Sequence, residues 1–85
     1  MLVIIPDSKS LNKPKDWAFM AKSEQVLNNI PETWKQYPNS IQGKTEIIDM
    51  EYNEFKQAQT IKERQHELIH LASACLNLWR TLEGI

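Results

Sequence analysis

Carboxylates and imidazoles recur at helical spacing in the second half of the chain. Glu51 and Glu54 stand three apart, Glu67 and His70 stand three apart, and His66 adjoins Glu67. Residues three or four apart share a face of a helix, so each pair can offer two ligands to one divalent cation. The run QHELIHL (65–71) also contains His-Glu-x-x-His, in which two imidazoles one turn apart hold Zn²⁺ and the glutamate between them activates water. Such a site needs a third protein ligand. After His70 the chain reads LASACLNLWRTLEGI, with no Gly or His at the spacing of the extended motif and Glu83 as the only acidic residue.

Three helices are expected to position these groups. Pro14 suits the first turn of a helix over 14–29, which Pro31 prevents from continuing. Residues 6–14 read as a loop, and PETWKQYPNSIQGK as a connection with one helical turn around Trp34, between Pro31 and Pro38. A second helix is expected over 45–58. Thr60-Ile61-Lys62-Glu63 fits a capping box and starts a third helix that runs to about Glu83, where Gly84 ends it.

Only one or two residues separate the second and third helices, so they must fold back as an antiparallel hairpin. Folding about Gln59 and Thr60 sets Glu54 opposite Gln65, Glu51 opposite Leu68 and Glu67 opposite Tyr52. At a rise of about 1.5 Å per residue the three glutamates lie within one or two turns of each other. Ile47, Ile48, Tyr52, Phe55 and Ala58 mark the inward face of the second helix, with Glu51 near its middle and Glu54 at its edge. On the third helix a broad apolar face (Leu68, Ile69, Leu71, Ala72, Cys75, Leu76, Leu78, Trp79 and Leu82) has Glu67 on its border. His66, His70, Ser73 and Asn77 form a polar stripe beside it. A helix this apolar calls for partners on more than one side.

The chain has 85 residues and a net charge of -1. That fits one helical domain, an N-terminal arm and helix over 1–40 and a hairpin over 41–85, close to the size at which self-association completes a core. The expected fold is all-α, a bundle completed by oligomerisation. The charge gives no basic footprint for nucleic acid. The single Cys75 leaves no internal disulfide and fits a cytoplasmic protein. Residues 1–5 (MLVII) are too short for a membrane span and lack a preceding basic region, so they read as a short strand or packed arm.

A glutamate aimed at an apolar face costs several kcal/mol unless paired or bound to a cation. Two or three at one height repel each other and raise their pKa values. A pairing of Glu51 with Arg64 or Lys62, or its escape to solvent, would relieve the burial without a metal.

Glu51-x-x-Glu54, twelve residues, then Glu67-x-x-His70 resembles the motif of the MazG-like all-α nucleoside triphosphate pyrophosphohydrolases, Glu-Glu-x-x-Glu on one helix and Glu-x-x-Asp on the next. The resemblance covers about 41–82. Met50 stands where the family has its leading Glu, and His70 where it has Asp. The resemblance implies that Glu51, Glu54 and Glu67 act as catalytic metal ligands for Mg²⁺, with His70 as a fourth ligand. It also implies that a nucleoside triphosphate is split to monophosphate and pyrophosphate. An imidazole in an oxygen site favours Mn²⁺ or Zn²⁺ relative to Mg²⁺. Lys44, Lys56, Lys62 and Arg64 are available to phosphate, and Trp34, Tyr37 and Tyr52 to a base. The pyrophosphohydrolase is the first reading, a non-enzymatic helical interaction or regulatory protein of the phage or mobile-element type the second, and a zinc metalloprotease the third.

Overall fold

The computed structural model describes residues 14–85. They form three α-helices, α1 (Pro14–Asn28), α2 (Ile41–Gln57) and α3 (Ile61–Glu83), with a short 3₁₀ helix (Glu32–Gln36) between α1 and α2. Among the described residues the fold is all-α and contains no strand. The expected terminal arm over 1–5 and most of the loop up to Pro14 lie outside the described residues.

Each boundary has a local cause. Pro14 opens α1, where its missing N–H is no loss. Pro31 and Pro38 bracket the 3₁₀ turn, which places Trp34 in the core. The second helix starts four residues earlier than its sequence pattern suggests, because Ser40 caps it by accepting a hydrogen bond from the Gly43 N–H at 3.0 Å. Gly43 itself has a steric cause. A Cβ there would stand 1.9 Å from the Pro38 carbonyl oxygen, so only glycine lets the segment that carries Trp34 lie against the start of α2. At the head of α3, Thr60 Oγ1 accepts from the Glu63 N–H at 3.0 Å, and the Glu63 carboxylate reaches back to the Gln59 N–H at 3.4 Å. The capping box is thus present, displaced by one residue in its return bond.

Helix α3 is the spine, with α2 and α1 packed on it. The hairpin is tied at its far end by Lys44 Nζ donating to Thr81 Oγ1 at 2.6 Å, and near the turn by Arg64 Nε donating to the Ala58 carbonyl at 3.2 Å. The core gathers Trp34, Ile47 and Ala74, with Val26, Leu27, Tyr37, Ile48 and Met50 packed around them.

The rotation of α3 differs from the expected one. Its polar stripe, and not its broadest apolar side, turns inward: Ser73 is fully buried, while Leu68, Cys75, Trp79 and Leu82 are exposed. The cause is the α1 crossing. Ser73 is small enough for close approach, and its hydroxyl, placed between the Ser23 carbonyl at 2.9 Å and the Ile69 carbonyl at 2.7 Å, is satisfied where it is buried. Arg80 forks onto the Glu24 carboxylate further along the same contact. Tyr52, expected inward, is half exposed, with the Lys56 ammonium 4.7 Å from its ring centroid.

Candidate metal centre

Helix α2 packs against α3 with Ile47 and the C-cap residue Ala58 buried, and the 3.6-residue period brings Glu51 onto that same face. Only 1% of Glu51 is exposed. Its Oε1 accepts a hydrogen bond from Trp34 Nε1 at 3.0 Å. Its Oε2 is buried without any hydrogen-bond partner. Among the described residues no Lys or Arg pairs with it, because Arg64 is spent on the Ala58 carbonyl. His70 Nδ1 lies 3.7 Å from Oε2, beyond hydrogen-bond reach.

Opposite Glu51, α3 contributes Glu67 and His70, one turn apart and both half-buried. One ligand atom each from Glu51, Glu67 and His70 lies within 4.8 Å of the other two. The Oε2 of Glu67, like that of Glu51, is buried and unpartnered. Two orphaned carboxylate oxygens converging beside an imidazole leave a strong desolvation penalty that a cation at their centre would offset. The residues therefore fit a divalent ion.

Glu54, one turn beyond Glu51, is exposed and stands outside this trio. Its carboxyl is pushed above the ordinary range, first by desolvation and then by the Glu67 carboxyl beside it. The Glu51 pKa is raised as well, chiefly by burial; the Trp34 hydrogen bond opposes this, Glu54 adds to it, and His70 and His66 oppose it. His66 is exposed, its ring centroid 4.6 Å from that of His70, and it takes no part in the trio. Met50 packs against the core and offers no ligand.

An acid whose pKa is raised by folding binds its proton more tightly folded than unfolded. The resulting penalty is absent below the ordinary carboxylate pKa, about 4.3. It grows as pH rises from there to the raised folded value. In chelator, the stability of Glu51→Gln relative to the wild type should therefore be small near pH 4 and increase toward neutrality. Urea unfolding at several pH values checks this, and a difference independent of pH would contradict it.

Of the trio, Glu67 lines a groove of about 660 Å³ whose walls also include Glu54, Lys62, Glu63 and His66. Of the basic residues available to phosphate, Lys62 lines it, while Lys44 is bonded to Thr81 and Lys56 covers Tyr52. Trp34, with 3% exposure, is a core residue and unavailable for stacking on a base. The Trp34–Glu51 bond was not expected from sequence. The signal for it is complementary need, since a buried indole N–H requires an acceptor and a glutamate on an apolar face requires a donor. No protein family, curated protein or solved structure matches the chain.

Proposed function

We propose that the protein binds one divalent cation through Glu51, Glu67 and His70 and hydrolyses a nucleoside triphosphate to monophosphate and pyrophosphate, as its resemblance to the MazG-like enzymes implies. The observation that carries this reading is the fully buried Glu51, whose unpartnered oxygen faces Glu67 and His70 and, among the described residues, has no Lys or Arg paired with it. When bound, a cation supplies positive charge against the phosphate oxygens and acidifies water. Glu51, Glu67 and His70 hold it. Glu54, at the open edge with a raised pKa, takes the proton of the attacking water as its oxygen bonds to the α-phosphorus. The bond from that phosphorus to the bridging oxygen breaks and pyrophosphate leaves. Lys62 faces the leaving phosphates from the groove wall.

Pyrophosphate release from the four common nucleoside triphosphates, assayed with Mn²⁺ or Mg²⁺, tests the activity. The wild type is expected to release pyrophosphate, and Glu54→Gln to lose roughly 10²- to 10⁴-fold in rate, the usual contribution of a general base. Release of orthophosphate alone, or equal rates in both proteins, would contradict the reading.

A second reading rests on the outer side of α3, where Leu68, Trp79 and Leu82 are 40%, 57% and 48% exposed. The described residues leave this stripe uncovered, which favours a homo-oligomer, or docking to another protein without catalysis. Sedimentation of a monomer at high micromolar concentration would remove the homo-oligomer. No helix among the described residues is long and apolar enough to cross a membrane.

A further inference from the structure

We propose that Trp34 is the positioning residue that sets which cations the Glu51 site accepts, by holding Glu51 to a single available oxygen. The inference rests on the cation reading of Glu51, Glu67 and His70. Trp34 Nε1 bonds Glu51 Oε1 at 3.0 Å, and both side chains are buried, at 3% and 1% exposure. An indole has one donor and no acceptor, so it cannot itself serve as a ligand, and no solvent reaches Oε1 to replace it. Oε2 is the oxygen left unpartnered, and it is the one that faces His70. The bond fixes the carboxylate with Oε2 toward His70, so Glu51 presents that one oxygen to an ion beside the imidazole.

This limit matters differently to different ions. Calcium takes six to eight oxygens at long, flexible distances and commonly uses a carboxylate through both oxygens, whereas magnesium and manganese accept six ligands in a tighter octahedron. A glutamate with one oxygen pinned by an indole, next to an imidazole, presents too few oxygens for calcium. It supplies a fixed monodentate ligand for the smaller ions. Partners of this kind, one bond removed from the ion, commonly change metal affinity by 10- to 100-fold.

Trp34→Phe retains a ring in the core and removes only the N–H. Manganese and calcium affinities of the wild type, Trp34→Phe and Glu51→Gln are measured by calorimetry on the full chain. The wild type should prefer Mn²⁺ over Ca²⁺, and Trp34→Phe should reduce that preference by at least about tenfold, through weaker Mn²⁺ binding with Ca²⁺ binding kept or improved. A merely structural role would weaken both ions alike, and that result would overturn the proposal. If the wild type binds Mn²⁺ through Glu51 but Trp34→Phe keeps the same ion preference, only the role of Trp34 fails. If the wild type binds neither ion, the cation reading fails with it. Should Trp34→Phe not fold, the ¹⁵N–¹H indole signal of Trp34 in the wild type provides the second measurement, the exposed Trp17 and Trp79 being assigned by their own Phe variants. That signal should remain protected from exchange when Zn²⁺ is added, and its loss of protection would overturn the proposal.

Discussion

Glu51→Gln is expected to make the metal-free protein more stable and the metal-loaded protein inactive. The substitution keeps the side chain's shape, and the glutamine oxygen can still accept from Trp34 Nε1 in the place of Oε1. The new amide N–H₂ takes the position of the orphaned Oε2, where it can donate toward His70 Nδ1 or Glu67 in place of a buried negative charge. The gain without metal is on the order of 1 kcal/mol at neutral pH. A cation at a hundred times its Kd stabilises the wild type by about 2.7 kcal/mol, and the variant should lose nearly all of that. Pyrophosphate release should fall to background. Thermal melts in chelator and in millimolar Mn²⁺ read both effects. A variant destabilised to the same extent with and without metal would mean that Glu51 is a structural acceptor for Trp34 and nothing more.

Trp34→Ala should have the largest effect on folding. Trp34 is the largest member of the core cluster, and its truncation leaves a cavity between the 3₁₀ turn, α2 and α3. It also strips the indole hydrogen bond from Glu51 Oε1. Truncation of a buried Trp costs about 3–5 kcal/mol. A chain of 85 residues has roughly 4 to 13 kcal/mol in all, so the variant should lose from about a quarter to nearly all of its stability. Circular dichroism with urea checks this. A loss below about 1 kcal/mol would show that the turn carrying Trp34 is peripheral to the fold.

The hairpin was legible because its signals are local. Thr60 and Glu63 announce the start of α3, the prolines bracket Trp34, and the period of Ile47, Glu51 and Ala58 fixes which way Glu51 points. From that period and the short turn alone, Glu51 and Glu67 come to one height, and His70 follows on the same side. What could not be read was set by contacts distant in sequence. The α1 crossing turned Ser73 inward through a bond across fifty residues, and left Trp79 and Leu82 outside. The segment up to Lys44 reads as a connection, whereas Ser40 caps α2 there and Gly43 is a point of close approach to Pro38. Glu54, expected as a ligand with Glu51 and Glu67, is exposed at the edge of the α2 face beside the Glu67 carboxyl, and His70, expected as a fourth ligand, lies within 4.8 Å of Glu51 and Glu67. The difference is one of angle, since a residue at the edge of a helical face reaches solvent before it reaches the opposing helix.

Those assignments meet in a single experiment, a Mn²⁺ titration of the wild type beside Glu51→Gln, Glu67→Gln, His70→Ala and His66→Ala. The wild type should bind one ion per chain. Glu51→Gln, Glu67→Gln and His70→Ala should each lose that binding, and His66→Ala should keep it, because His66 stands outside the converging trio. Equal losses from His66→Ala and His70→Ala, with binding retained in Glu51→Gln, would place the ion on the His-Glu-x-x-His face of α3 and contradict the account.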